Sequence, residues 1–271
     1  MGKSILDTLV AETAERLVER KRETSLRDLE DRPLFGSPRI DLAPRLRRDR
    51  LSIIAEIKQA SPSRGVIRSE FDPRGIAESY DDAGADALSV LTEPVYFMGS
   101  LSDMETARQA VSIPVLRKDF IIDPFQLVEA RAYGADAVLL IATVLERNQI
   151  AELLHASHEL QLSALVEVYD IHELDRIDLD LVETLGVNNR DLHSFEVDLN
   201  HAPYVLSHVP DRIVRVAESG MKTARDLASV REAGIDAVLI GETFMLGPDP
   251  GEVLRRMRRE CESILERASK P

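Results

Sequence analysis

The rhythm of apolar and polar positions changes near residue 51. Before it, Ile5, Leu6, Leu9, Val10, Leu17 and Val18 recur at helical spacing and form one apolar face of a helix predicted over 4–22. Ser4-x-x-Asp7 resembles a capping box at its start, and a second short helix is predicted from Ser25, with Asp28 three residues on. Pro33, Gly36, Ser37 and Pro38 mark a break, and Ile40 to Arg48 fits a third helix. This front segment has no strand pattern. From Leu51 onward, short β-type runs alternate with amphipathic stretches. Strands are predicted at 52–58, 87–91, 114–118, 137–141, 164–168, 182–187, 213–217 and 237–240. Helices are predicted near 73–83, 101–110, 124–132, 146–160, 170–176, 199–207, 223–233 and 250–267. Helices placed between strands imply parallel pairing through right-handed crossovers, and the nearly continuous apolar strands imply burial on both faces.

A repeat sharpens this picture. Ala83-Gly84-Ala85-Asp86-Ala87, Tyr133-Gly134-Ala135-Asp136-Ala137 and Ala233-Gly234-Ile235-Asp236-Ala237 each lead into a strand, and their glycines are 50 and 100 residues apart. Glycine suits the left-handed stop of a helix, and the aspartate opens the next strand. A copy near Asp180 lacks the glycine. Eight strand–helix pairs with this period favour a closed (β/α)8 TIM barrel, parallel and eight-stranded, over an open doubly wound sheet. The loop after the first strand, Ser61-Pro62-Ser63-Arg64-Gly65, is not the G-x-G-x-x-G of a dinucleotide fold. We therefore expect an N-terminal helical extension, residues 1–48, packed on a barrel of residues 49–271, as a single domain overall.

Composition narrows the function. The 271 residues carry 34 Lys and Arg against 48 Asp and Glu, a net charge of −14, which disfavours nucleic acid and anionic membranes as partners. Any anionic ligand needs a local cluster of cations. The single cysteine, Cys261, excludes an intrachain disulfide and a multi-cysteine metal site. The six histidines include a helix pair, His155 and His158, that lacks a carboxylate at ligand spacing and reads as solvated, so no metal is expected. The longest apolar run, Ala137 to Leu145, is too short to span a bilayer, and the N-terminus has no secretory core; a cytoplasmic protein is expected. Only six of the basic residues are lysine, at 3, 21, 58, 118, 222 and 270. Lys58 and Lys118 alone fall in strand-like runs. A desolvated lysine can give up a proton near neutral pH where arginine cannot, so both are candidate proton donors, although a packed stem with a snorkelling head fits the same pattern.

Barrel sites lie at the C-terminal ends of the strands. Strand 1 closes with Glu56 and Lys58, strand 3 with Lys118, strand 5 with Glu167. Strand 6 runs into Asn188, Asn189 and Arg190, strand 7 into Glu218, Ser219 and Gly220, and strand 8 into Gly241 and Glu242. Glu56 and Lys58 can simply pair, Glu167 can serve a loop amide, and Asn188 or Asn189 can be a turn residue. These separate structural roles would all have to coincide at one end of the barrel, so a shared site is the better reading. Ser219-Gly220 and Gly241-Glu242 stand where barrels often hold phosphate on backbone N–H groups.

The chain is similar to the indole-3-glycerol phosphate synthase family in Ile54-Ala-Glu-Ile-Lys-Gln-Ala-Ser-Pro-Ser63, Phe97-Met-Gly-Ser100, Pro114-Val-Leu-Arg-Lys-Asp-Phe120, Ala164-Leu-Val-Glu-Val168, Gly186-Val-Asn-Asn-Arg-Asp-Leu192, Ala217-Glu-Ser-Gly220 and Ile240-Gly-Glu-Thr-Phe-Met245. The resemblance implies ring closure of 1-(2-carboxyphenylamino)-1-deoxyribulose 5-phosphate, with loss of CO2 and water, in tryptophan biosynthesis. It implies no cofactor or metal, and an anionic phosphosugar substrate; a monomer is expected, although the sequence does not fix the oligomeric state. By the same resemblance Lys118 is the general acid, Lys58 binds the anthranilate carboxylate and acts again in dehydration, Glu167 is the general base or a cation stabiliser, and Glu56 is a second acid–base group held by Lys58. Asn188 and Arg190 orient hydroxyls and carboxylates. Ser61, Ser219, Gly220, Gly241 and the Glu242 N–H hold phosphate, and Phe97, Phe120, Leu139 and Leu192 wall the substrate. The family often has serine at Glu242, so its carboxylate is expected to turn away. Lysines with cationic neighbours are expected to have lowered pKa values. The runner-up is another phosphosugar barrel, an isomerase or epimerase; a catalytically silent phosphate-binding barrel is the third reading.

Overall fold

The computed structural model describes residues 5–191 and 196–268. Ser4, of the first capping box, and Leu192, of the expected substrate wall, lie outside the described residues. Eight parallel strands close into a barrel: β1 (Ser52–Ile57), β2 (Ala87–Leu91), β3 (Val115–Lys118), β4 (Ala137–Ile141), β5 (Ser163–Val168), β6 (Thr184–Asn188), β7 (Val214–Glu218) and β8 (Ala237–Ile240), with β8 returning to pair with β1. Helices α1 (Ile5–Glu23), α2 (Leu26–Glu30) and α3 (Leu42–Leu46) precede the barrel. Around it run α4 (Pro73–Asp82), α5 (Leu101–Ala110), α6 (Pro124–Ala132), α7 (Arg147–Glu159), α8 (His201–Leu206), α9 (Ala224–Glu232), α10 (Glu242–Met245) and α11 (Pro250–Ala268). No helix among the described residues is long and apolar enough to cross a membrane.

The period-2 geometry of the strands sorts their side chains into two cores. Ile53, Ala55, Leu88, Val90, Val115, Val138, Leu140, Val166, Leu185 and Val238 pack with the surrounding helices. Ile54, Ala87, Leu116, Ala137, Leu139, Leu165, Val214, Val216 and Leu239 fill the barrel interior. Alternation then places Glu56, Lys118, Glu167, Asn188 and Glu218 on the interior side, one layer above these apolar residues.

The repeat has a physical role. Gly84, Gly134 and Gly234 have φ of 85°, 88° and 84°, the left-handed stop that ends a helix. The aspartate two residues on accepts an N–H from the first or second residue of the preceding strand: Asp86 from Ile53 at 3.0 Å, Asp136 from Val115 at 2.9 Å and Asp236 from Arg215 at 2.9 Å. The altered copy coincides with a local change. The helix expected over 170–176 is a 3-10 segment, Ile171–Arg176, followed by another, Leu179–Leu181. Without an α-helical end, no left-handed stop is required there, and β6 starts two residues later than expected.

The front segment packs at both ends of the barrel. Leu42 and Leu46 of α3 join the interior core at the N-terminal end, where Ser52 Oγ donates to Leu46 O at 2.7 Å. Leu6 and Leu9 of α1 join the same core from the C-terminal side. The Ser25–Asp28 capping box of α2 is present in both directions. A small antiparallel pairing of Ala60–Ser61 with Gly65–Val66 after β1 has no signal in the hydrophobic pattern, being two residues a side.

Candidate active site

One pocket at the C-terminal ends of the strands is lined by Glu56, Lys58, Ser61, Phe97, Lys118, Phe120, Leu139, Glu167, Asn188, Arg190, Ser219, Gly220, Gly241 and Glu242. Every described residue proposed from the sequence is therefore in it. Two ammonium groups enter from separate strands, and both side chains are largely buried. Lys58 Nζ lies 2.6 Å from Glu56 Oε1. Lys118 Nζ lies 2.9 Å from Glu167 Oε2 and 3.3 Å from Glu218 Oε2.

Glu218 closes β7; the sequence places it at the site end of that strand but assigns it no role. The period-2 register is the signal that finds it: Val214, Val216 and Glu218 alternate onto the interior, and Glu218 sits opposite Asn188 of β6. Two glycines shape the carboxylate layer. A Cβ on Gly186 would stand 2.3 Å from Glu218 Oε1, and one on Gly241 would stand 2.3 Å from Glu56 Oε1. Both positions thus leave room for an acid side chain from the neighbouring strand.

The electrostatics correct one expectation. Burial alone would lower the Lys118 pKa, but the carboxylates of Glu167, Glu218 and Glu56 outweigh it and hold it above the ordinary lysine value. The lysine's neighbours are anionic rather than cationic, so the expected lowering does not occur. Burial would raise Glu167, yet Lys118 and a hydrogen bond from Asn188 Nδ2 keep it below the usual carboxylate range. Glu218 goes the other way: burial, with the charge of Glu167 adding to it and Lys118 opposing, pushes it up to about 8.

The remaining walls divide into an aromatic side and a small-residue side. The Phe97 and Phe120 rings lie 6.5 Å apart and tilted. The loop carrying Phe97 wraps the fully buried Glu93, which accepts from the Val95, Tyr96 and Phe97 N–H groups at 3.1, 2.7 and 3.2 Å and from Arg16 of α1 at 2.9 Å. Phe120 follows a buried network: Arg117 donates to Asp119 at 3.0 Å, and Asp119 accepts the Phe120 N–H at 2.8 Å. On the other side, Ser219 and Gly220 have φ of 64° and 87°, which turns their backbone sharply after β7. Ser61 Oγ is buried there without a hydrogen-bond partner. The Glu242 carboxylate accepts from Arg64 Nη1 at 3.1 Å. Asn189 is the turn residue of the Asn pair, donating to Ser219 O at 3.2 Å and accepting from the Ala202 N–H at 2.9 Å. Among the described residues, no cluster of His, Cys, Asp or Glu suits a metal ion, and His155 and His158 are exposed on α7.

The family model for indole-3-glycerol phosphate synthase matches residues 6–257. The chain belongs to the indole-3-glycerol phosphate synthase family. It is 52% identical over 263 residues to the indole-3-glycerol phosphate synthase of Salinibacter ruber, covering 96% of this chain and 97% of that one. It is 48% identical over 202 residues to that of Rhodopirellula baltica, covering 74% and 78%. Among solved structures it resembles 3-hexulose-6-phosphate synthase from Salmonella typhimurium, with a TM-score of 0.62 and 12% identity over 79% of this chain and 99% of that one. It also resembles thiamine phosphate pyrophosphorylase from Pyrococcus furiosus, with a TM-score of 0.59 and 18% identity over 83% and 100%. At these identities the structural likeness concerns the barrel fold.

Proposed function

We propose that this pocket binds 1-(2-carboxyphenylamino)-1-deoxyribulose 5-phosphate and converts it to indole-3-glycerol phosphate, CO2 and water, with residue roles as follows. The observation that carries the reading is the entry of Lys58 and Lys118 from two strands into one pocket that has an aromatic wall on one side and a donor-rich turn on the other. The phosphate sits on Ser61 Oγ and the backbone N–H groups of Gly220, Gly241 and Glu242, with Ser219 beside it. The anthranilate ring packs on Phe97, Phe120 and Leu139, and its carboxylate faces Lys58. Asn188 and Arg190 orient the hydroxyl-bearing chain.

In ring closure the aromatic carbon bearing the carboxylate attacks the ketone carbon, and the Lys118 ammonium protonates the ketone oxygen. Its pKa, held high by the surrounding carboxylates, ensures that this group is charged when substrate arrives. Loss of CO2 returns the bonding pair to the ring and restores aromaticity. Dehydration then needs a proton on the departing hydroxyl, from Lys58 with Glu56, and removal of a proton from the adjacent CH2 carbon. Glu167, held ionised by Lys118, is suited to take it. We further treat residues 1–48 as an extension packed on a 49–271 barrel, and the protein as a cytoplasmic monomer that uses no cofactor.

Incubating the purified protein with the carboxyphenylamino-deoxyribulose phosphate tests the reading. Formation of the fluorescent indole product is expected. Tight binding without turnover would instead favour a silent phosphate-binding barrel, and no binding an isomerase or epimerase.

A further inference from the structure

The reaction consumes protons unevenly. One is spent on the ketone oxygen and one on the departing hydroxyl, while one is recovered from the CH2 carbon. Each turnover therefore takes up one proton net, which accompanies the loss of a carboxylate as neutral CO2. Lys118, once it has given its proton to the ketone, is a neutral amine beside two carboxyl groups and needs a replacement.

The carboxylate layer holds that replacement. Glu56 has Lys58 to itself at 2.6 Å, whereas Glu167 and Glu218 share the single ammonium of Lys118, at 2.9 and 3.3 Å. Glu218 is the acid with the poorest support as an anion. It is 2% exposed, and its Oε1 is buried with no hydrogen-bond partner. Its neighbours in the sheet offer no charge: Asn188 lies opposite on β6 and Leu239 on β8. Across the pocket the charged groups are Lys118 from β3, Glu167 from β5, Glu56 and Lys58 from β1, and Arg190 and Lys222 from the loops after β6 and β7. An unsupported buried carboxylate oxygen is costly, whereas a carboxylic acid at the same place is not. Glu218 also touches the group that needs the proton, its Oε2 being 3.3 Å from Lys118 Nζ.

We propose that Glu218 is kept as a neutral carboxylic acid in the free enzyme and reprotonates Lys118 after ring closure. The Glu218 O–H bond breaks, an N–H bond forms on Lys118, and Glu218 becomes a carboxylate that takes a proton from solvent through the open pocket. The inference rests on Lys118 being the acid of ring closure. The position of the Glu218 pKa, near 8, agrees with the neutral form at pH 7.

Glu218→Gln tests it, because glutamine keeps the shape and still accepts from Lys118 but has no proton to give. The first turnover, followed by stopped-flow indole fluorescence, is expected within about twofold of wild type, while steady-state kcat falls about tenfold or more. The alkaline limb of the wild-type kcat profile, which begins where Glu218 ionises, is expected to vanish in the variant. A wild-type-like kcat and pH profile would mean that Glu218 only positions Lys118, and loss of the first turnover would mean that it acts earlier; either result overturns the proposal. Wild-type enzyme read with a pH-indicator dye gives an independent check: proton uptake from solvent should lag behind ring closure, and simultaneous uptake would sink the idea. Lys118→Arg separates the two levels. If that variant turns over normally, the assignment of Lys118 is wrong; if it is inactive while Glu218→Gln is unaffected, only the role of Glu218 fails.

Discussion

Replacing Lys118 by arginine and by methionine separates its proton from its charge. Arginine keeps a cation near Glu167 and Glu218 but does not release a proton at working pH. Loss of general acid catalysis lowers rates about 10²–10⁴-fold, equivalent to about 2.7–5.4 kcal/mol of barrier. Product should still bind, since the phosphate turn and the aromatic wall are untouched. Methionine removes the charge as well. Glu167 loses its partner at 2.9 Å and must stay as an uncompensated buried anion or take up a proton. At pH 7 protonating a carboxyl of ordinary pKa near 4.3 costs about 3.7 kcal/mol, and at pH 5 about 1 kcal/mol. These are ceilings for the stability lost, because Glu218 is already largely neutral at pH 7 and Asn188 still donates to Glu167. Steady-state indole fluorescence reads the activity, and urea unfolding at pH 7 and pH 5 reads the stability. Near wild-type turnover by the arginine variant would refute the acid assignment. A methionine variant with the same stability deficit at both pH values would refute the charge argument.

Three further outcomes follow from the geometry. Asp86 accepts from Ile53 N–H and from Arg50 and Arg258, and these partners overcome burial to hold its pKa low; Asp86→Asn should cost about 3–5 kcal/mol near neutral pH. The contribution is present above the unfolded aspartate value and is lost as pH falls through the lower folded value, so the gap between wild type and variant should close below about pH 4 in urea titrations. Gly241→Ala places a Cβ 2.3 Å from Glu56 Oε1 and must displace the acid from Lys58; kcat/KM should fall by about tenfold or more, with the fold retained by circular dichroism. Glu242→Ser removes a negative charge beside the proposed phosphate turn and an ion pair to a half-exposed Arg64. Stability should change by under about 1 kcal/mol. KM should drop two- to threefold, roughly, at low salt, the gain shrinking as salt rises.

The barrel was legible because its determinants are local and periodic. The repeated Gly-Ala-Asp element marks a left-handed helix stop and a carboxylate that caps the preceding strand, and both are needed wherever an α-helix feeds a strand. The departures come where this local logic lapses, as at 171–181, where 3-10 segments replace a helix. The candidate site was legible in position, since polar residues at strand ends break otherwise apolar runs. Its charge state was not. Whether Lys118 meets cations or anions depends on Glu167 and Glu218, which lie 49 and 100 residues away in the sequence and meet it only across the barrel. The reserved spaces at Gly186 and Gly241 were likewise invisible, because each is defined by a side chain from a different strand. Gly241 looked like a phosphate residue, and it also makes room for Glu56.

A crystal structure with indole-3-glycerol phosphate bound tests the two-lysine pocket most directly. The indole ring is expected between Phe97, Phe120 and Leu139, the phosphate on Ser61 and the Gly220 and Gly241 turns, and both lysine nitrogens within hydrogen-bonding reach of the ligand or of one bridging water. A product seated with its phosphate away from those turns, or with either lysine pointing to another part of the molecule, would contradict the account.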